Sequence, residues 1–101
     1  QRITIYRKLA QLFDMKDLKA LKEEIRDRFG PIPKTVGRLL RVAELKIIAA
    51  TRKVTSIETR ENKIMFTRNN SLITLGGKYP RFEKHTADKR LAELKTLLKA
   101  L

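Results

Sequence analysis

Few side chains in this sequence have the chemistry of a catalytic or metal-binding site. There is one histidine, His85, and no cysteine, so a His/Cys metal cluster cannot be assembled. His85 lies in a polar stretch, where a lone histidine is most simply a solvated residue. Gly76-Gly77-Lys78 has part of a phosphate-loop pattern, but that motif needs an earlier glycine and Ser or Thr where Tyr79 stands. We therefore expect no catalytic residue, metal or cofactor in these 101 residues.

Basic side chains are the most prominent chemical feature of the sequence. Lys and Arg number 24 against 11 Asp and Glu, a net charge of +13, which favours nucleic acid, an acidic partner or an anionic surface. Lys34, Arg38 and Arg41 share one face of a predicted helix with Arg52, and could follow a phosphate backbone. A charged helix face is also commonly just solvated. The aromatic residues that strong nucleic-acid readers interleave with such bases are scattered here.

Two acidic residues form a second candidate group. Glu24 and Asp27 are three residues apart and share a helix face. Asp27 falls in the last turn, where the helix dipole disfavours a negative charge. Either a local cation, from Lys22, Arg26 or Arg28, compensates for it, or an arginine of another domain does.

Length and composition predict one domain of modest size. A chain of 101 residues can build a single small core. The lack of cysteine fits a reducing cytosol, no apolar run approaches the ~20 residues of a membrane span, and no signal peptide is visible. Because the chain starts at Gln1 and ends at Leu101 inside an amphipathic pattern, we expect it to be a piece of a longer protein.

The apolar spacing of the first half predicts three helices. The first covers residues 3–13, with Ile5, Leu9, Leu12 and Phe13 facing the core. Asp14 is placed to cap the second helix, which ends at Gly30 in the left-handed C′ position. Pro31 stops it, and Pro33 opens a third helix over about 33–51.

Apolar stripes on the second and third helices define the predicted core. The stripe of the second helix consists of Met15, Leu18, Leu21, Ile25 and Phe29. That of the third consists of Val36, Leu39, Leu40, Ala43, Ile47 and Ala50. Leu45 and Ile48 fall near the basic side of the third helix, so either another element covers them or they form an apolar spot ringed by charge.

Alternation replaces helical spacing after residue 53. Residues 54–59, 63–68 and 71–76 read as strands, joined by turns at 60–62 and 69–70. The side chains predicted to face inward are Ile64, Phe66, Ile73 and Leu75. A fourth, edge strand over 81–84 remains open. Thr86 or Asp88 caps a last helix, whose apolar face is formed by Leu91, Leu94, Leu98 and Leu101.

These elements predict an α+β fold. N-terminal helices, a small antiparallel β-meander of three or four strands and a C-terminal helix follow one another. We expect a single domain over residues 1–101, with a helical part at about 1–53 and the sheet and last helix at about 54–101.

Several segments of the first half resemble one protein family. RITIYRKLA at 2–10, EEIRDRFGPIP at 23–33, and LL at 39–40 followed by AELKIIA at 43–49 are similar to motifs of the C-terminal (TRCF) domain of bacterial transcription-repair coupling factors. The resemblance is strong over residues 2–49, about half of the chain. Beyond residue 50 it is one of pattern only, since Thr51-Arg52-Lys53-Val54 stands where the family often has a glycine.

The resemblance implies a function for the chain and for its parent. The parent would be a cytoplasmic bacterial, ATP-driven DNA translocase that removes stalled RNA polymerase and recruits UvrA. Its motor domains, with ATP and Mg, would lie outside this chain. The C-terminal domain would be regulatory and autoinhibitory. It would pack on an N-terminal UvrB-like module and mask the UvrA-binding surface until polymerase or double-stranded DNA releases it.

On this basis the candidate site residues fall into three groups. The predicted interdomain contacts are Glu24, Asp27, Arg28 and Phe29. The structural turn consists of Gly30, Pro31 and Pro33. Lys34, Arg38, Arg41 and Arg52 are the candidate contacts to DNA or an acidic partner.

Two other functions compete with autoinhibition. A basic nucleic-acid-binding domain behind the motor would bind with steep salt dependence. An enzyme with an unrecognised site would turn over ATP by itself. We expect no membrane association.

Overall fold

The computed structural model describes residues 2–101, with side chains from Ile3 onward. Its elements in order are α1 (Arg2–Ala10), α2 (Met15–Phe29), α3 (Lys34–Thr51), β1 (Val54–Arg60), β2 (Lys63–Arg68), β3 (Ser71–Leu72) and α4 (Ala87–Ala100). The α+β fold with helices at both ends is as predicted.

The chain divides into two compact units within α3, one extending to Ile47 and the other covering Ile48–Leu101. The core of the first unit consists of Leu18, Leu21, Ile25, Leu40 and Ile47, with Ile5, Leu9, Leu12, Ile32, Val36 and Ala43 packed against it. Buried apolar residues of the second unit include Val54, Ile64, Phe66, Phe82, Leu94 and Leu98.

The start of α2 is fixed by two aspartates. Asp14 is the N-cap, as predicted, and its Oδ1 accepts the Asp17 N–H at 2.9 Å. Asp17 Oδ2 in turn accepts the Phe13 N–H at 3.1 Å. Helix α1 ends at Ala10, and this bond holds residue 13 out of line with that helix. Phe13 is therefore 87% exposed. Its prediction as a core residue was wrong.

The end of α2 differs from prediction in its backbone and its burial. Gly30 is the C-cap, with its N–H donated to Arg26 O at 2.9 Å. Its φ of 80° and ψ of −146° lie outside the left-handed helical region, in one that is essentially restricted to glycine. Met15 and Phe29 are the first and last residues of α2, and both are exposed rather than core.

Helix α3 begins at Lys34, one residue after the predicted start, and the Pro33 carbonyl accepts the Gly37 N–H at 2.8 Å. Leu45 and Ile48 are both buried, so the first of the two alternatives for them holds. Ala50, predicted to be in the core, is exposed. In the second half of α3, the buried face of the helix therefore lies closer to the predicted basic side than expected.

The sheet is an antiparallel meander of order β1-β2-β3. Phe66 pairs with Ile57, and Ile64 with Thr59. Ile64 and Phe66 are fully buried, as the alternation predicted. The turn between β2 and β3 has positive φ at both Asn69 and Asn70, which two-residue hairpins favour because it matches the twist of the strands.

The third strand is shorter than predicted. β3 ends at Leu72, and Leu75 is 52% exposed, whereas it was predicted to face the core. Leu75 and Lys78 exchange backbone hydrogen bonds of 2.8 and 3.2 Å around Gly76 and Gly77, which both have positive φ. This tight turn removes Leu75 from the ladder.

A fourth strand does not form over 81–84. Ile64 N–H donates to Pro80 O at 2.9 Å, and Phe82 N–H donates to Asn62 O at 2.8 Å, but the segment is only bridged to β2, between Lys63 and Arg81. Beyond Phe82 the N–H groups of Glu83 and Lys84 are donated to the Glu93 side chain, so they do not pair with β2.

Helix α4 is capped by Thr86, whose side chain accepts the Lys89 N–H. Asp88, the alternative cap, lies in the first turn. Leu94 and Leu98 are buried, and Leu91 and Leu101 are half-buried, as the predicted apolar face requires. No helix in the described part of the chain has the length and apolar character needed to cross a bilayer.

Replacing two glycines by alanine should have opposite effects on stability. Gly30→Ala should lower the free energy of unfolding by about 1–3 kcal/mol, because its backbone conformation strains any L side chain. Gly37→Ala should raise the free energy of unfolding by about 1 kcal/mol. Gly37 lies inside α3, and the only atom that an added Cβ would meet is Ile32 Cγ2, at 4.0 Å. Urea denaturation followed by circular dichroism measures both. Equal effects would contradict the assigned backbone at Gly30.

Candidate functional site

A cleft between α1 and α2 contains three of the four predicted interdomain contact residues. Its volume is about 210 Å³. Apolar side chains of Ile5, Leu21 and Ile25 line it together with Thr4, and its polar and aromatic members are Lys8, Glu24, Arg28 and Phe29. Asp27, the fourth predicted contact, is not among the lining residues.

An ion pair links the two helices at this cleft. Lys8 Nζ of α1 donates to Glu24 Oε2 of α2. The hydrogen bond from Lys8 lowers the pKa of Glu24, and the positive charges of Lys8 and Arg28 add to that effect. Glu24 is therefore paired with a cation of its own unit that lies 16 residues away in the sequence.

Sequence reasoning missed Lys8, although a signal for it exists. Lys8 falls three residues after Ile5 and four before Leu12, both of which pack against the first core. A lysine on an apolar helix face needs a carboxylate or solvent for its ammonium group. The half-buried Lys8 satisfies this need with Glu24.

The last turn of α2 presents different chemistry. The side chains of Asp27 and Arg28 are exposed, and Phe29 is 46% exposed. Chain direction then changes through Gly30, Pro31 and Pro33, of which the two prolines are exposed. Three successive residues at this corner of the backbone thus carry a carboxylate, a guanidinium group and an aromatic ring.

The predicted basic residues are exposed, but they are not without contacts. Lys34, Arg38 and Arg41 are exposed on α3, and each already interacts with another group of the protein. Arg52 lies just beyond α3, and its carbonyl accepts Nε–H of Arg68 at 3.0 Å. These residues present positive charge to solvent.

A second carboxylate with a lowered pKa lies in the second unit. Glu93 of α4 accepts the backbone N–H groups of Glu83 and Lys84, each at 2.8 Å. These bonds, that of Glu83 first, lower the pKa of Glu93. His85 is exposed, as expected of a solvated histidine. Within the described residues no cluster of His, Cys, Asp and Glu is arranged to hold a metal ion.

These features define a small α+β protein with charged surfaces. The family model of the TRCF domain matches residues 1–74, and the chain belongs to that family. The matched residues contain the α1–α2 cleft and the corner at 23–33, whereas α4 lies outside them.

Relatives of the chain are much longer proteins. The Transcription-repair-coupling factor of Borreliella burgdorferi is 30% identical over 69 residues, which cover 68% of this chain and 6% of that protein. The Transcription-repair-coupling factor of Bacillus subtilis is 29% identical over 90 residues, covering 80% of this chain and 8% of that protein. The chain thus spans less than a tenth of the length of either relative.

A solved structure gives a matching fold. The crystal structure of the C-terminal domain of transcription-repair coupling factor superposes with a TM-score of 0.61 at 34% identity. The match covers 68% of this chain and 44% of that one.

Glu24 and Glu93 should give a pH dependence of defined sign. Both pKa values lie below the ordinary 4.5 in the folded chain. Each carboxylate therefore contributes stability that is present at neutral pH and is lost as the pH falls through the lowered folded-state pKa. NMR titration of the side-chain carboxyls should give both midpoints below 4.5.

The variant Lys8→Met separates the two carboxylates, since it keeps the aliphatic stem and removes the charge. The Glu24 midpoint should return towards 4.5 while that of Glu93 stays in place. An unmoved Glu24 midpoint would exclude Lys8 as the cause of the shift.

Proposed function

We propose that this chain is the C-terminal regulatory domain of a transcription-repair coupling factor and that it restrains the larger protein by packing on another of its domains. The observation that carries the proposal is the exposed Phe29 next to Asp27 and Arg28 at the corner after α2. This corner lies inside the range matched by the family model. An exposed aromatic ring beside a carboxylate and a guanidinium group is typical of a contact surface.

The partner surface in this proposal is the N-terminal UvrB-like module of the same protein. Packing on that module masks its UvrA-binding surface, and stalled RNA polymerase or double-stranded DNA releases it. The larger protein acts in the bacterial cytoplasm, and its motor domains bind ATP and Mg. The chain itself contributes contacts and no reaction.

Reversible restraint requires contacts that are individually weak. Exposed charge pairs contribute about 0.2–1 kcal/mol each, so Asp27, Glu24 and Phe29 would share the interaction. A restraint of a few kcal/mol in total is small enough for polymerase or DNA binding to overcome, because a ligand shifts such an equilibrium by its difference in affinity for the two states.

The Lys8–Glu24 pair refines this proposal. Glu24 already accepts a bond from Lys8 through one carboxylate oxygen, so a cation of the partner must displace Lys8 or share the carboxylate with it. Asp27 is exposed and needs no such exchange. We infer that Asp27 is the readier of the two acids for an arginine of the N-terminal module.

Charge reversal at both acids should release the restraint. In the full-length protein, Glu24→Lys with Asp27→Lys should raise UvrA binding and ATPase activity about tenfold, the effect of losing interactions that sum to about 1.4 kcal/mol. The matched control is Glu58→Lys with Glu61→Lys, two exposed acids of the second unit. UvrA binding that stays at the level of the control would refute the role of this pair.

Removing Lys8 should have the opposite effect. Lys8→Met frees the Glu24 carboxylate for the partner, so UvrA binding by the full-length protein should fall two- to fivefold. The same substitution in a Glu24→Gln background should have no effect on UvrA binding. If Lys8→Met instead increases UvrA binding in both backgrounds, Lys8 supports the docked surface and does not compete for Glu24.

Nucleic-acid binding by α3 is the second candidate function, and the structure gives it less support. Lys34, Arg38 and Arg41 are exposed but already engaged within the protein. Positive charge without a stacking platform supplies only non-specific, salt-sensitive binding.

A further inference from the structure

A groove in the second unit is separate from the cleft described above. It lies between the segment 81–84 and α4, with a volume of about 500 Å³. Arg81, Lys84 and Lys89 line it together with Ala92, Leu97 and Glu83. All of them lie beyond residue 74, where the match to the family model ends. The function proposed for the corner at 23–33 therefore does not account for this groove.

The walls of the groove are held in place by hydrogen bonds. Glu93 on α4 accepts the N–H groups of Glu83 and Lys84. Arg90 Nε donates to the Lys84 carbonyl at 2.9 Å, and its guanidinium lies 4.6 Å from the centre of the buried Phe82 ring. A binding surface that is already ordered loses less conformational entropy when it binds.

The groove lining contains three bases and two acids, an excess of one positive charge. Arg81, Lys84 and Lys89 are exposed, while the Glu93 carboxylate is engaged by two backbone amides. Glu83 is the remaining acidic member of the lining. Between the bases lie the apolar side chains of Ala92, which is exposed, and Leu97, which is half-buried.

We propose that this groove binds an acidic, amphipathic peptide segment of a partner protein. Its carboxylates pair with Arg81, Lys84 and Lys89, and an apolar side chain packs on Ala92 and Leu97. The apolar floor favours a peptide over nucleic acid, because a phosphodiester backbone has nothing to bury there. The lining has no aromatic ring for base stacking.

The test uses the 101-residue chain with three fluorescent probes. The first is a synthetic helical peptide of Glu, Asp and Leu, the second has every Leu replaced by Ser, and the third is a DNA duplex. Binding is measured by anisotropy at physiological salt, and NMR amide shifts locate the contact. The Leu-containing peptide should bind at least fivefold more tightly than the Ser peptide, with shifts at residues 81–97.

Variants separate the groove from general charge. Lys84→Glu with Lys89→Glu should weaken the Leu-containing peptide about tenfold, from two lost charge pairs. Lys78→Glu with Lys99→Glu, exposed bases that are not part of the lining, should weaken it less than twofold. Ala92→Glu, a helix-compatible change on the exposed floor, should abolish the preference for Leu over Ser. Circular dichroism verifies that each variant is folded.

Three outcomes would overturn the proposal. The first is equal affinity for the Leu and Ser peptides, or equal affinity of the two charge-reversed variants for the Leu-containing peptide. In either case charge alone would explain the affinity. The second is DNA binding with the shifts at 81–97, which would make the groove a nucleic-acid surface. The third is absence of binding by every probe.

Discussion

The exit of the chain from α2 is the constraint on which the candidate contact surface depends. Gly30 adopts a backbone conformation that is essentially restricted to glycine, while its N–H still closes the last turn on Arg26. Helix α2 therefore runs to its end before the chain turns. Phe29 and Asp27 remain exposed in that last turn.

Charge is organised differently in the two units. At the α1–α2 cleft, Glu24 is engaged by a lysine side chain, a partner that another cation can replace. In α4, Glu93 is engaged by two backbone amides, which no ligand cation can replace. The first arrangement suits a surface that exchanges partners, whereas the second suits a fixed wall. Both lower the pKa of a carboxyl group, so a pKa shift alone would not have distinguished them.

Much of the architecture followed from local signals. The N-cap at Asp14, the end of α2 at Gly30 and strand β2 depend on neighbouring residues, so propensity and alternation were sufficient to predict them. The predictions from sequence failed where a second constraint overrode the local pattern. Phe13 left the helical stripe because Asp17 takes its N–H. Leu75 left its strand because the turn at Gly76 and Gly77 closes immediately after it.

Sequence by itself determined the fold class, the family motifs and the position of the corner at 23–33, because turns, caps and periodic stripes are written in adjacent residues. Only the tertiary structure decided which side chains pair across helices. Lys8 and Glu24 are 16 positions apart, and the basic groove requires segment 81–84 to be drawn onto α4 by Glu93 and Arg90. Such pairings depend on the packing of separate elements, and this packing brings together residues that no local pattern connects.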